Sequence, residues 1–432
     1  MPIVLPYRLR RLSSRFHRLR LALHARGWRG MVDRVLAGSP HGAALPTTTS
    51  AARPQASQPR NAAADGGRVL VIDVTTPRPD RDSGSMRAVR LLDLLATLGP
   101  QVDFLPDDGR HADHYTDALS ARAIRSHHIA GERAQARWLA GHAPRYHTII
   151  ISRYHLAEAL IPLLRRVAPR ARLILDTVDL HHLREQREAE RHGDARLARL
   201  AAVTRRRELA TIAAADVTWV VSPVEQALLV RAVPQAVVQV VPNLHDPVED
   251  VPGPEGRRGL LFVGGAAHPP NVDAVRWLLD AILPEIRRAL PDVELHLVGE
   301  GFERLVTTPP PGVRVHGHVV DLAPLLRSVR VGLAPLRFGA GVKGKVNLGM
   351  SHGIPMVVTG CAAEGLHAVD SEHLLLAETA TDFAAAVVTA CTDDNVWRRL
   401  SRASRDLTGR HFTTTAARDA VLASLPVPVQ VS

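Results

Sequence analysis

RFGAGVKGKVNLGMSHGIP, residues 337–355, holds both lysines of a chain whose other basic residues are 52 arginines. Arginine is the default cation here, so a glycine loop that takes lysine at 343 and again at 345 has a reason to prefer it. An apolar run, VRVGLAP (329–335), precedes the loop. KVNLGMSHG follows, reads as a helix ending at Gly353, and leads into IPMVVTG (354–360). Strand, glycine loop and helix start together hold phosphate well. The glycines leave backbone N–H groups accessible, and the positive end of the helix dipole favours an anion. Lysine adds a compact charge on a flexible stem, suited to a diphosphate in a narrow space. The bland alternative is a βα turn with two solvated lysines, and the gathering of both into one loop favours phosphate.

The same alternation runs outward in both directions. RVLVIDV (68–74), QVDFL (101–105), TIIIS (148–152), RLILD (172–176), VTWVV (217–221) and VVQVV (237–241) are short apolar runs with helical stretches such as 86–98 and 155–168 between them. A proline- and acid-rich hinge, 242–258, interrupts the pattern. It restarts with GLLFVGG (259–265), VELHLVG (293–299) and VRVHG (313–317), and closes with HLLLAE (373–378). Near-continuous apolar strands alternating with helices predict parallel sheets covered on both faces. The fold class expected is α/β, with two Rossmann-like doubly wound domains, 67–245 and 259–410, facing across a cleft. Ligands of open parallel sheets bind beyond the carboxyl ends of the strands, so the cleft is the expected site.

A length of 432 residues with 46% apolar content exceeds one core of roughly 100–200 residues. Cys361 and Cys391 lack any CxxC spacing and read as inert thiols of a reducing compartment. No run of about 18 apolar residues predicts a transmembrane helix, and the N-terminus lacks the apolar core of a signal peptide. The cytoplasm is the expected location, with a peripheral place on the inner face of the cell membrane as an extension of it. Of the net charge of +11, about +8 falls in residues 1–38, which carry nine arginines and one acid. No basic face interleaved with aromatics marks a nucleic-acid binder.

Residues 1–38 read as a basic amphipathic extension. Leu9, Leu12, Phe16, Leu19 and Leu23 recur at helical spacing within 5–30, with Arg8, Arg11, Arg15 and Arg18 between them. Two destinations stay open for this helix: an anionic membrane surface, or the protein's own body or a partner. Residues 39–66, rich in Ala, Pro, Ser and Thr, read as a flexible linker.

GAGVKGKVNLGMSHGIPMVVT followed by CAAEGL resembles the donor-binding signature of family-4 retaining glycosyltransferases, in the bacterial subgroup with a GAGVKGK loop. LLFVGGAAHPPNVDAVRWL (260–278) and VRVHGHVVDLAPLL (313–326) are similar to the same family's second domain. DVTTPRPDRDSGSMR (73–87) and LDTVDLHHLREQRE (175–188) are similar to its first. The resemblance implies a GT-B type fold with the nucleotide sugar held mainly by the second domain, and a last helix within 411–432, at 411–424, crossing back to the first. It also implies activity without a metal or cofactor. The partners it implies are a nucleotide-sugar donor and a glycan or lipid-linked acceptor.

Carried over residue by residue, the resemblance assigns donor binding to Gly264, Gly265, His268, Arg337, Gly341, Lys343, Gly344, Lys345, Leu348, Glu364 and Gly365. Glu364 and Gly365 match the loop that touches donor sugar hydroxyls. Ser83, Gly84, Ser85 and Arg87 match the loop that meets acceptor and diphosphate, although a plain capping turn explains the serines equally well. Asn271 reads as a helix N-cap or as a neighbour of the phosphates, and Arg337 as a phosphate clamp or a surface arginine. Asp179, His181 and His182 follow a strand end, where similar enzymes place an active-site histidine, and Asp176 or Asp179 would fix its tautomer. His181, with Asp179 and Lys345, is the expected catalytic set. One departure stands out: family members commonly carry two glutamates eight positions apart, and here those positions are Ala340 and Leu348. Leu348 shares a helix face with Lys345. Losing a charged hydrogen bond to the donor ribose would weaken binding by roughly 1.5–3 kcal/mol.

The function expected is retaining transfer of a sugar from a nucleotide-diphosphate sugar to such an acceptor in cell-surface polysaccharide biosynthesis. The departure at Leu348 keeps a non-catalytic nucleotide-sugar-binding or scaffolding subunit as the rival. An epimerase on the same architecture ranks lower, because no paired carboxylates mark its acid–base chemistry.

Overall fold

The computed structural model describes residues 4–37 and 67–425. The segment read as a linker, 39–66, lies outside the described residues. The first sheet contains β1 (Arg68–Asp73), β2 (Gln101–Pro106), β3 (Arg125–Ser126), β4 (Thr148–Ser152), β5 (Arg172–Asp176), β6 (Val217–Val220) and β7 (Val238–Val240). The second contains β8 (Leu260–Val263), β9 (Leu295–Val298), β10 (Val313–Gly317), β11 (Val331–Ala334), β12 (Met356–Val358) and β13 (Leu375–Leu376). All pairings between these strands are parallel.

The spatial orders are β3-β2-β1-β4-β5-β6-β7 and β10-β9-β8-β11-β12-β13, one topology used twice. Two Rossmann-like doubly wound domains are therefore present, as the alternation predicts. Period-2 burial explains why both faces of the first sheet need helices. Leu70, Ile72, Ile149, Ile151, Leu173 and Leu175 enter one core, while Val69, Val71, Ile150, Ile174 and Trp219 enter the opposite one. In the second sheet Leu260, Phe262, Leu295 and Leu297 face one way, Leu261 and Val298 the other.

After the helix Asp394–His411 the chain returns to the first domain. In the helix Thr414–Ser424, Ala417 and Val421 join that domain's core, and Trp219 Nε1 donates to Ser424 Oγ at 2.8 Å.

The N-terminal helix Val4–Ala37 packs on the helices Glu132–His142, Tyr154–Val167 and Ala195–Ala214. Its buried face is polar. Tyr7, Arg11, Ser14 and His17 are enclosed, Arg11 pairs with Asp107 at 2.7 Å, and His17 Nε2 lies 2.8 Å from Thr204 Oγ1. The helix thus docks on the protein's own body, but not through the leucine stripe, which faces outward.

Candidate active site

In both sheets the strand order reverses beside the first strand, so neighbouring loops part and leave a crevice at the carboxyl edge. After β8 and β11 these loops carry Gly264–Gly265 and the lysine loop. After β1 and β4 they carry 74–82 and Arg153. The crevices face each other: His318 Nε2 lies 2.9 Å from Asp80 Oδ2, Arg81 pairs with Glu300 at 2.7 Å, and Asn243 Nδ2 donates to the Val342 carbonyl at 3.1 Å.

Lys343 caps the helix Gly344–Ser351 with extended backbone and no capping side chain. The first-turn N–H groups of a helix have no intrahelical partner, which suits them to an anion. Gly341, at φ +67°, makes the turn; a Cβ there would lie 3.1 Å from the Asp179 Cβ. Lys343 is buried, donates from Nζ to the Gly341 carbonyl at 2.6 Å, and has its pKa lowered by burial.

Lys345 donates to Asn271 Oδ1 and stands 4.5 Å from the Phe262 ring centroid. Burial, and to a lesser degree Lys343, push its pKa down to about 7. Asn271 Nδ2 in turn donates to the Gly265 carbonyl at 2.8 Å. Asn271 is the third residue of the helix Pro269–Trp277, whose N-cap is His268, so its side chain serves the lysine rather than the helix start. A Cβ on Gly264 would come within 2.6 Å of Asn271 Nδ2 and 2.9 Å of Lys345 Nζ. Glycine at 264 is what lets this pair form.

Other donor-side candidates are already engaged. Arg337 grips Asp273 through Nε at 2.8 Å and Nη2 at 2.5 Å, over the Trp277 ring. Leu348 is half-buried against the apolar cluster of Leu261, Val298, Leu326, Val329 and Ile354, and lines a small cavity with Lys345. Glu364 holds a two-pronged ion pair with Arg187 of the first domain. Gly365, at φ +79°, lies against Ser222, where a Cβ would come within 2.6 Å of the serine's own.

On the first-domain side, Asp82 caps the helix Ser83–Thr97, accepting from Ser85 N at 2.8 Å and Ser85 Oγ at 2.7 Å. Ser83 packs so closely on Gly344 that a Cβ at 344 would lie 2.5 Å from the Ser83 Cβ. Two helix N-termini, one from each domain, therefore meet here. Gly84 lies beside Asp82 and the Arg153 guanidinium. Arg87 is enclosed, pairing with Asp176 at 2.6 Å and donating to the Val241 carbonyl at 3.0 Å, so it braces the domain rather than lining the cleft.

The adjacent histidines diverge, as neighbours on a helix must. His182 Nδ1 is bound to Glu208 at 2.6 Å, and the same carboxylate accepts both backbone N–H groups at 181 and 182. His181 Nε2 lies 3.2 Å from Asp179 Oδ1 without hydrogen-bond alignment, while Asp179 also pairs with Arg184. Burial, followed by Arg184, Arg153, Arg18 and His268, lowers the His181 pKa well below the usual range. It is a neutral imidazole, and the influence of His268 reaches it from the other domain.

Sequence reading overlooked Arg153, Arg187 and Glu208. Arg153, at φ +73°, directly follows β4 and places Nε 3.2 Å from Asp73 Oδ1; its place at a strand's carboxyl end was a usable signal. Glu208 and Arg187 lie within helices, where nothing local distinguishes them from solvated charges.

Residues 257–393 match the family model described as Glycosyl transferases group 1. No curated protein matches the chain. Among solved structures, sucrose-phosphate synthase from Thermosynechococcus elongatus is similar at a TM-score of 0.64 and 16% identity, over 82% of this chain and 98% of that one. Anabaena HepE in complex with UDP and glucose is similar at 0.64 and 12%, over 83% and 99%. A UDP-forming α,α-trehalose-phosphate synthase from Burkholderia xenovorans is similar at 0.55 and 13%, over 83% and 98%. The chain thus has a two-domain fold of GT-B type, and the residues that match the family model lie in its second domain.

Proposed function

We propose that the chain is a retaining glycosyltransferase that moves a sugar from a nucleotide-diphosphate sugar to a glycan or lipid-linked acceptor of cell-surface polysaccharide, without a metal. The meeting of two helix N-termini beside Lys343 and Lys345 carries this reading. The negative charge that develops on a departing diphosphate would be stabilised there by fixed dipoles and ammonium groups, which need no reorganisation as the bond breaks. HepE, with UDP and glucose bound, supports a nucleotide-sugar donor.

In this reading the bond from the anomeric carbon to the diphosphate breaks as the acceptor oxygen attacks from the same face. The acceptor's proton passes to the leaving phosphate oxygen. His181, neutral and beside Asp179, orients the acceptor or the sugar by hydrogen bonding rather than by charge. Closure of the domains limits hydrolysis of the donor by excluding water.

The test is nucleotide release from a panel of UDP-, GDP- and dTDP-sugars with and without candidate acceptors, with the product's anomeric configuration read by NMR. Acceptor-dependent release with the donor's configuration kept supports the reading; an inverted product overturns the retaining assignment. The rival, a non-catalytic binding subunit, is favoured by Leu348 lying among apolar side chains and Glu364 being tied to Arg187. Donor binding without turnover across the panel would select it.

A further inference from the structure

The N-terminal helix docks with its polar side and leaves its apolar side unused. Leu9, Leu12, Phe16 and Leu19 are 61%, 60%, 61% and 41% exposed, on one stripe opposite the face that covers Arg11, Ser14 and His17. Helices normally bury such a stripe and show their charges to water. Here burial of the polar face is secured by specific partners: Arg11 on Asp107, His17 on Thr204, Ser14 Oγ on the His155 carbonyl at 3.4 Å. The outward orientation is therefore built, not incidental.

The rim of the stripe identifies its occupant. Arg8 and Arg15 border one side and Arg20 the other, and residues 6–23 contain no acid. Glu132 partly balances the first pair, at 2.8 Å from Arg15 and 3.9 Å from Arg8. Arg10 and Arg20 are exposed, with no acidic partner among the described residues, and Arg20 lies 6.0 Å over the Phe16 ring. A narrow apolar stripe with arginines on both sides matches the acyl boundary and headgroup charge of an anionic bilayer. No described helix is long and apolar enough to cross a membrane, so the contact is superficial.

We propose that Leu9, Leu12, Phe16 and Leu19, with Arg15 and Arg20 on the two sides of the stripe, seat the protein on an anionic lipid surface. The same helix backs the candidate acceptor side: Ser14 touches His155, whose ring is 5.7 Å from that of His181, and Arg18 bears on both histidines. The seated cleft then lies close to the lipid plane, which selects a lipid-linked acceptor; this last step rests on the glycosyltransferase reading, whereas the docking does not.

The experiment is co-sedimentation of the full chain with vesicles of phosphatidylglycerol or of phosphatidylcholine, with no donor present, so failure here is separate from failure of the catalytic reading. Binding to the anionic vesicles, weakened by salt, is expected. Leu12→Glu/Phe16→Glu should cut it by at least about tenfold with an unchanged thermal midpoint, because both side chains are already in water. Arg20→Glu should weaken it as well, and remains available if the first variant does not fold. Equal binding to both vesicle types, or no binding, overturns the proposal. So does a lipid-free dimer that Leu12→Glu/Phe16→Glu dissociates, since that would assign the stripe to a second copy.

Discussion

Arg187 of the first domain holds Glu364 of the second through two hydrogen bonds of 2.9 and 2.7 Å, and reaches the Gly339 carbonyl at 2.8 Å. The pair closes the cleft at the point where resemblance places the contact with the donor sugar. Burial alone would raise the Glu364 pKa; the hydrogen bond and charge of Arg187 outweigh it and hold the carboxylate ionised. A sugar hydroxyl that reaches Glu364 must therefore share it with a guanidinium.

Arg187→Ala should change discrimination between a nucleotide sugar and its free nucleotide by about fivefold or more, while affinity for the nucleotide alone stays within about twofold. Both side chains are partly solvated, so the stability cost should be only about 1 kcal/mol. Calorimetric titration with each ligand checks it; equal changes for both would place Glu364 away from the sugar.

Lys345 gives the proposed donor site a pH dependence of definite sign. With its pKa pushed down to about 7, the free protein loses the ammonium as pH rises above neutrality, and a bound diphosphate restores it. Donor affinity should be highest below pH 7 and fall by up to about tenfold per pH unit above it, with proton uptake on binding at pH 8. Lys345→Ala should abolish that dependence and lower turnover by more than about tenfold. Calorimetry in buffers of different ionisation enthalpy measures the uptake, and a flat profile in the unaltered protein would remove Lys345 from the phosphates.

The legible parts of this molecule are those encoded by periodicity and glycine. Apolar runs announced twelve of the strands; β3 escaped because Arg125–Ser126 is polar and belongs to no apolar run. The lysine loop stood out by composition. What the lysines touch did not, because Asn271 lies 74 residues from Lys345 and looked like an N-cap. Arg87 misled for a related reason: resemblance places it in the loop that meets acceptor and diphosphate, yet it stands past the first turn of the helix Ser83–Thr97, and Asp176, 89 residues away, claims it in the interior. Partners this distant in sequence arise only from the sheet order. The leucine stripe was equally legible, but which side of the helix would dock depended on Asp107 and Thr204 beneath it.

Gly344 tests whether the two helix starts must touch. Gly344→Ala places a Cβ 2.5 Å from that of Ser83, a separation side chains do not tolerate, so the domains must part locally. Turnover should fall at least about tenfold, consistent with the cost of small misplacements at a reacting centre. The fold should survive, because each domain keeps its own core. Ser83→Gly combined with Gly344→Ala should restore much of the loss, and failure of that rescue would show that glycine is needed at 344 for the phosphate instead.

His245 sets an acid limit at the hinge. It is buried just after β7, its N–H donates to the Phe412 carbonyl at 2.7 Å, and its Nδ1 has no partner. Burial, then Arg90 and His352, lowers its pKa to about 4. Between an unfolded value near 6.5 and that folded value the unfolded chain binds the extra proton, so stability is full above about pH 6.5 and is lost as pH falls towards 4. The single residue accounts for about 3 kcal/mol over that window. Urea unfolding at pH 7.5, 5.5 and 4.5 should show the decline, and His245→Asn should flatten it by about that amount. A remaining slope is expected, because His155 and His181 are also buried with lowered pKa values and act in the same direction. Parallel curves for the two proteins would mean that water reaches His245 through the hinge, and that the contact between the hinge and Phe412 opens before the domains unfold.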